Sequence, residues 1–288
     1  MKIRIISGLV GIVILFAVLL CPYTIVFTLV AAVAAALAVY ELLHNTGIVK
    51  NWCLLIGSMV FAAVEVCIGR LAQVHATAVL TTVPPTTSAP ADLLYPLLGI
   101  WLAVYGVFAL ILFAVYKQSF VWKGFGLTVY ATLGFTALAV LRELPYYSLP
   151  FVLLPMVIAW MSDTGAYFVG TFFGKHKMAP VISPKKSWEG FFGGWAISVG
   201  LTAVYGVICN AFFPGISSWR FDVGLFAILA AVLAPLSVVG DLLASVIKRR
   251  CGIKDYGNVM PGHGGVMDRF DSVLFIAPLT YIALMLFH

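Results

Sequence analysis

The sequence predicts an all-α, polytopic membrane protein with about nine transmembrane helices and a cytoplasmic N-terminus. Composition is the first observation: 62% of the 288 residues are hydrophobic and only 10% are charged, whereas soluble domains average roughly 25% charged residues. The mean hydropathy of +1.07 agrees with this. The second observation is that apolar runs recur whose length matches the roughly 20 residues of a helix that crosses a hydrocarbon core.

The apolar runs are candidate spans at about 3–20, 23–43, 52–72, 93–116, 122–142, 149–172, 189–213, 223–247 and 272–287. Lys2 and Arg4 precede the first run, as in a signal peptide, but no small-x-small cleavage site follows, so we interpret it as a retained span. Helices satisfy their backbone hydrogen bonds internally. The strand alternation that a membrane barrel needs is absent from the sequence.

Basic residues are distributed unevenly between the two sides that these spans define. All 17 Lys and Arg residues except Arg70, Arg142 and Arg220 fall on the side of the N-terminus. The positive-inside rule makes that side cytoplasmic, so we interpret the net charge of +6 as topology and expect no nucleic-acid partner. The compact size favours a bacterial inner (cytoplasmic) membrane, with an organelle membrane as the alternative.

The chain divides into N-terminal transmembrane helices, residues 1–142, and a C-terminal transmembrane domain, residues 143–288, which we expect to be catalytic because most acidic residues and both long cytoplasmic loops fall there. In the first part, Glu41 and Glu65 are interpreted as interfacial or bundle-facing carboxylates. The Pro/Thr-rich loop 73–92 is predicted to lie outside with little structure. The five cysteines form no CxxC pair, which indicates packing residues rather than a disulfide or zinc framework.

Three aspartates of the second part are predicted to reach one depth near the cytoplasmic face. A rise of about 1.5 Å per residue puts Asp163 about 21 Å and Asp241 about 27 Å along their spans, and Asp268 precedes the last span. A carboxylate in hydrocarbon is costly and usually faces a polar interior. Hard oxygen ligands favour Mg²⁺. The alternative is that each aspartate pairs with a nearby lysine or caps a helix.

A polar seam and two cytoplasmic loops, about 173–188 and 248–271, surround these aspartates. The seam has helical spacing, which indicates one face lining a cavity; its residues are Ser237, Asp241, Ser245 and Lys248. Lysine clusters in the first loop suit phosphates, or alternatively anionic lipid headgroups, and Ser187 is a candidate N-cap. In the second loop, Gly262, Gly264 and Gly265 permit close backbone approach, and His263 is a phosphate donor, a proton carrier or a structural hydrogen-bonding residue.

The segment SVIKRRCGIKDYGNVMPGHGGVMDRFDS (245–272) resembles the signature of the phosphatidate cytidylyltransferase family. The residues that fit are Ser245, Ile247, Lys248, Arg249, Lys254, Asp255, Gly257, Pro261, His263, Gly264, Gly265, Val266, Asp268, Arg269, Phe270 and Asp271. Met260 stands where Leu, Ile or Phe is usual. The upstream block SDTGAYFVGTFFGKHKMAPVISPKKSWEG (162–190) resembles the same family, with Thr171 where members often carry Arg.

This resemblance implies a Mg²⁺-dependent nucleotidyltransferase, often aided by K⁺, that makes CDP-diacylglycerol from CTP and phosphatidic acid in phospholipid biosynthesis. It also implies a homodimer among membrane lipids, with the active site on the cytoplasmic side. By the match, Asp241 and Asp268 take the metal positions. The catalytic candidates are Asp163, Lys186, Asp241, Lys248, His263 and Asp268. The substrate-binding candidates are Lys175, Lys185, Ser187, Ser245, Arg249, Lys254, Gly264, Gly265 and Arg269.

Three other functions are less consistent with the sequence. A CDP-alcohol phosphotransferase needs Asp-Gly, Ala-Arg and two further spaced aspartates, a pattern that the sequence does not contain. A membrane prenol kinase that uses CTP shares part of the architecture, but the full signature over 245–271 argues against it. A transporter whose buried aspartates carry protons or ions does not require a long cytoplasmic loop dense in Lys, Gly and His.

Overall fold

The computed structural model describes residues 2–21, 24–82, 94–116, 119–144, 148–212, 222–259, 262 and 264–287. Within these ranges the helices are α1 (Lys2–Leu20), α2 (Thr24–Tyr40), α3 (Trp52–Thr82), α4 (Leu94–Tyr116), α5 (Phe120–Arg142), α6 (Ser148–Phe173), α7 (Trp188–Phe212), α8 (Val223–Arg250) and α9 (Met267–Phe287). A π-helical segment, Glu41–Asn45, continues α2. An antiparallel hairpin of β1 (Lys177–Ala179) and β2 (Ser183–Ser187) joins α6 to α7.

The predicted all-α, polytopic fold is confirmed. In the part of the chain that the structure describes, eight helices, α2 through α9, are long and apolar enough to cross a membrane. Helix α1 occupies the first predicted span and is not one of these eight. The cytoplasmic orientation of the N-terminus stays a prediction.

Two helix boundaries and the structure of one loop differ from the prediction. Helix α3 continues to Thr82 because the apolar run does not stop at residue 72. Part of the predicted loop 73–92 is therefore helical, and its remainder from residue 83 lies outside the described residues. Helix α9 begins at Met267 rather than near 272, so Asp268 and Asp271 lie inside it rather than before it. The loop between α6 and α7 contains the β-hairpin, whose strands satisfy each other's backbone groups.

The helices form two compact units. Unit 1 comprises Met1–Leu149 and Cys251–Phe270, and unit 2 comprises Pro150–Arg250 and Asp271–His288. Most of the signature segment therefore belongs to the same unit as the N-terminal helices. The division into functional parts at residues 142 and 143 stays a prediction, because compactness is a different criterion from catalytic role.

In unit 1, small residues bring α2, α3 and α5 together. Ala35 and Ala38 of α2 are fully buried. A Cβ at Gly69 of α3 would lie 2.5 Å from the Cγ2 atom of Thr136 on α5, so this approach requires glycine. Such small-residue interfaces are typical of membrane helices, where close packing replaces the hydrophobic effect as the force of association.

In unit 2, a glycine seam joins α6 to α7. A Cβ at Gly165 would lie 3.1 Å from the Cα of Gly194, and a Cβ at Gly190 would lie 3.1 Å from the Cα of Gly170. These short distances show that the backbones of α6 and α7 pack closely at this seam. The seam holds the beginning of α7 against the end of α6.

A proline in α8 leaves one backbone carbonyl of that helix without its helical donor, and a side chain of α7 donates to this carbonyl. Pro235 lies inside α8 and has no N–H to donate to the carbonyl four residues earlier. That carbonyl belongs to Ala231, and it accepts a hydrogen bond of 2.9 Å from the indole Nε1 of Trp195 on α7. The α7–α8 contact therefore includes a specific polar bond as well as apolar packing.

We expect Trp195→Phe to lower the free energy of unfolding by about 1 kcal/mol, the net contribution of one hydrogen bond. In a Pro235→Ala background, the new backbone N–H at position 235 serves the same carbonyl, so Trp195→Phe should cost less there. Thermal unfolding in detergent micelles measures both effects. Trp160→Phe on α6 is the control, because Trp160 is 37% exposed and Trp195 36%. Equal costs of Trp195→Phe in the two backgrounds would contradict this account.

Candidate functional site

A cavity of about 240 Å³ lies in unit 2 among α6, the hairpin, α7 and α8. Asp163 of α6 and Lys185 and Lys186 of β2 contribute charge to its wall, and Tyr167 and Phe191 contribute aromatic surface. The cavity thus combines cationic groups with an apolar wall, as a site for an amphipathic anion requires.

Ser187 fixes the hairpin to both helices beside the cavity. Its Oγ accepts a 3.2 Å hydrogen bond from the N–H of Gly190, so it is the N-cap of α7, as the sequence predicts. A Cβ at Gly174 would lie 2.6 Å from this Oγ, and one at Gly170 would lie 3.1 Å from it. The glycines at the end of α6 therefore make room for the cap.

Glu189 holds the chain that enters the hairpin, a role that was not predicted from the sequence. Its carboxylate accepts the N–H of Lys175 at 3.1 Å and the N–H of His176 at 3.2 Å. It also bonds the Nδ1 of His176 at 2.6 Å. An acidic residue in the first turn of a helix interacts favourably with the helix dipole. The position of Glu189 in the first turn of α7 is the sequence signal that could have indicated its role. Glu189 thereby ties the chain that enters the hairpin to the start of α7.

Opposite charges are paired beside the cavity. Lys186 forms an ion pair with Asp241 of α8, and the Nζ of Lys248 lies 3.8 Å from the Oδ2 of Asp271. Asp163 interacts electrostatically with both Asp241 and Lys186. The structure therefore brings three carboxylates and two lysines into one network. The two ion pairs offset part of the cost of removing their own four charges from water.

The cavity-lining role predicted for the polar seam of α8 stays a prediction, because the residue that α8 contributes to the cavity wall is Val238. Asp241 and Lys248 form the inward pairs just described, and Ser237 is fully buried with its Oγ bonded to the carbonyl of Ala234 at 2.8 Å. At the end of the helix, the Nε of Arg249 donates to the carbonyl of Ile182 at 3.4 Å. Arg249 thus links α8 to the turn of the hairpin.

The signature loop, residues 251–266, lies in unit 1. Gly262 and Gly264 have φ angles of 78° and 87°, which non-glycine residues rarely adopt. Asp268, in the first turn of α9, accepts hydrogen bonds on its Oδ2 from the N–H of Tyr256 at 2.7 Å and of Gly265 at 3.0 Å. His263 lies outside the described residues, so its predicted role stays a prediction.

Glu41 and Glu65 are buried in unit 1, with exposed fractions of 1% and 6%, which confirms their interpretation as bundle-facing. Glu41 has a contact that the sequence did not indicate: its carboxylate bonds the N–H groups of Val266 and Met267. No local pattern could reveal this contact, because 225 positions separate Glu41 from Val266.

The remaining predicted residues are divided between the two units. Lys175, Arg249, Lys254 and Arg269 have exposed side chains, and Ser245 is partly buried. Thr171, which stands where the family often has Arg, donates its hydroxyl to the carbonyl of Tyr167 at 2.7 Å. The substrate-binding roles of all these residues stay predictions.

The predicted metal ligands, Asp241 and Asp268, belong to different units. Within the described ranges, no group of three or more His, Cys, Asp or Glu side chains is arranged to hold a metal ion. The chemistry of the predicted donors nevertheless fits Mg²⁺, because both are carboxylates and the Asp241 side chain is 25% exposed. The metal stays a prediction.

Comparison with known proteins adds an independent line of evidence. The profile of the cytidylyltransferase family matches residues 2–287. Over 191 residues the chain is 35% identical to the phosphatidate cytidylyltransferase of Bacillus subtilis, covering 65% of this chain and 68% of that protein. It is 41% identical over 140 residues to the enzyme of that name from Staphylococcus epidermidis, and 42% identical over 138 residues to that from Staphylococcus aureus. Each staphylococcal match covers 47% of this chain and 49% of the relative, about half its length.

We expect Glu189→Ala to release the chain that enters the hairpin, because the amide groups of residues 175 and 176 lose their acceptor. Amide hydrogen exchange over 175–187 should become faster, as expected for local opening. Asp222→Ala is the matched control: Asp222 accepts the N–H of Gly224 at 2.8 Å at the start of α8. Exchange in the hairpin that rises equally in both variants would contradict the anchoring role of Glu189.

Proposed function

Because the chain belongs to the cytidylyltransferase family, we propose that it transfers the cytidylyl group of CTP to phosphatidate, which yields CDP-diacylglycerol and pyrophosphate. The observation that carries the proposal is the match over residues 2–287 together with relatives that bear this enzyme's name. The lysine-lined cavity of unit 2 supports it, because both substrates are phosphate anions.

The reaction requires the protein mainly to position two substrates and to neutralise their charge. A phosphate oxygen of phosphatidate attacks the α-phosphorus of CTP. The bond from that phosphorus to the bridging oxygen breaks, and pyrophosphate leaves with the bonding electrons. Neither water nor a redox partner takes part. Positioning and charge neutralisation therefore supply most of the rate enhancement, as in other phosphoryl transfers.

The residues of the cavity match these demands. Lys185 offers an exposed ammonium group to a phosphate. Lys186 is paired with Asp241, so a phosphate that enters can replace or share this partner. Tyr167 and Phe191 give the same cavity an apolar wall, suited to the glycerol and acyl portion of a lipid.

Mg²⁺ dependence is part of the proposal. Asp241 and Asp268 are the candidate ligands, since carboxylate oxygens are what this ion prefers. When bound, the ion would supply charge neutralisation at the phosphates of CTP. Stimulation by K⁺ and a homodimeric state are further expectations that rest on the family resemblance alone.

We also propose that the protein works in the inner (cytoplasmic) membrane of a bacterium, with its site on the cytoplasmic side. The helices long enough to span a membrane support a polytopic protein. The uneven distribution of Lys and Arg supports the orientation. CTP would then enter from the cytoplasm and phosphatidate from the adjacent leaflet.

In purified protein in detergent micelles, we expect label from cytidine-labelled CTP to appear in CDP-diacylglycerol when phosphatidate and Mg²⁺ are present. Addition of EDTA should abolish the product, and excess Mg²⁺ should restore it. A parallel reaction offers a prenol with CTP labelled on its γ-phosphate. Phosphorylated prenol without CDP-diacylglycerol, in folded protein supplied with K⁺, would replace this proposal with a kinase.

The cavity wall can be tested with two lysines of the same hairpin. Lys185 lines the cavity, whereas Lys177 of β1 is exposed outside its wall. Lys185→Met should lower kcat/KM for CTP at least about tenfold, since a hydrogen bond to a charged group contributes about 1.5–3 kcal/mol. Lys177→Met removes the same charge and should leave kcat/KM within about twofold. Equal losses would indicate a general charge effect and not a binding site.

A further inference from the structure

Glu41 meets the signature loop at the start of α9. It is the first residue of the π-helical segment Glu41–Asn45, and its side chain is 1% exposed. Its Oε1 accepts the N–H of Val266 at 3.0 Å, and its Oε2 accepts the N–H of Met267 at 2.9 Å. Since α9 begins at Met267, these are N–H groups that the helix itself cannot satisfy. A carboxylate at this end is also favoured by the helix dipole.

Two glycines of the loop make room for this carboxylate. A Cβ at Gly265 would lie 2.3 Å from the Oε2 of Glu41, and a Cβ at Gly257 would lie 2.5 Å from its Oε1. Any larger residue at either position would displace the carboxylate. Two of the signature glycines are therefore explained by Glu41.

A second residue of the same segment holds the other part of the loop. The Nδ2 of Asn45 donates to the carbonyl of Tyr256 at 2.8 Å. The N–H of Tyr256 in turn donates to the Oδ2 of Asp268 at 2.7 Å, and Gly265 donates to the same oxygen at 3.0 Å. The amide groups that orient Asp268 thus belong to residues that Glu41 and Asn45 contact.

We propose that Glu41 is a positioning residue: by holding the amides at the start of α9, it sets the direction of the Asp268 carboxylate without touching substrate. The inference deepens the proposed function and rests on it, because the direction of Asp268 affects turnover only if Asp268 serves the cytidylyl transfer. It assigns a role to a residue that lies 225 positions before Val266 in the chain.

The test compares Glu41→Gln with Glu65→Gln in detergent micelles. Glutamine keeps the size of Glu41 but turns one acceptor into a donor that faces a backbone N–H, so one bond is lost. Glu65 is the matched control, because it is also a buried carboxylate of unit 1. Hydrogen exchange over residues 256–268 and steady-state kinetics are measured on both variants.

For Glu41→Gln we expect faster exchange over 256–268 and a kcat at least about tenfold lower, since small misplacements of reacting groups are costly. The KM for phosphatidate should stay within about threefold. For Glu65→Gln we expect both the exchange and kcat to remain at the wild-type values. In an Asp268→Asn background, Glu41→Gln should cause no further loss of kcat, because its effect passes through Asp268.

Several outcomes would overturn the inference. Faster exchange with unchanged kcat would show that Glu41 only stabilises the structure of the loop. If the two fold-losses of kcat multiply in the double variant, Glu41 acts independently of Asp268. If Glu41→Gln does not fold, Glu41→Asp replaces it in the test, because aspartate keeps the charge on a shorter side chain. If neither variant folds, Glu41 supports the fold of the whole unit, which would overturn the inference. If the wild-type protein makes no CDP-diacylglycerol, the proposed function fails, while the exchange measurement still decides whether Glu41 holds the start of α9.

Discussion

The structure depends on one constraint: polar backbone groups that leave water must find partners inside the protein. Uninterrupted helices meet this constraint by themselves, but their ends and their prolines do not. Trp195 serves the carbonyl that Pro235 leaves without a partner in α8, and Ser187 serves the first turn of α7. Glu41 does the same for α9 from a distant part of the chain. The bonds that satisfy these groups also fix the segments that carry the candidate site.

Charged side chains obey the same constraint, and this shapes the chemistry of unit 2. Lys186 and Lys248 each face a carboxylate, Asp241 and Asp271 respectively. Both lysines of the network therefore already face a carboxylate before any substrate binds. A phosphate that enters competes with a carboxylate for an ammonium group, so binding exchanges one ion pair for another and does not create a charge in an apolar setting.

Local sequence patterns predicted the parts of the fold that local physics controls. Every predicted span overlaps a helix, because a helix satisfies its own backbone hydrogen bonds within an apolar setting. The N-cap at Ser187 was also predictable, since a cap acts on its immediate neighbours. The start of α9 was predicted too late in the chain, because the acceptor that stabilises its first turn comes from Glu41.

The sequence by itself determined the number and order of the helices, the family signature and the residue types available for phosphate chemistry. Only the tertiary structure decided which of these residues meet: Lys186 with Asp241, Glu189 with the chain before the hairpin, and Glu41 with the signature loop. The physical reason is range. Hydropathy and capping act over a few neighbouring residues, whereas an ion pair or a carboxylate–amide contact depends on distances that arise only after helices far apart in the chain have packed.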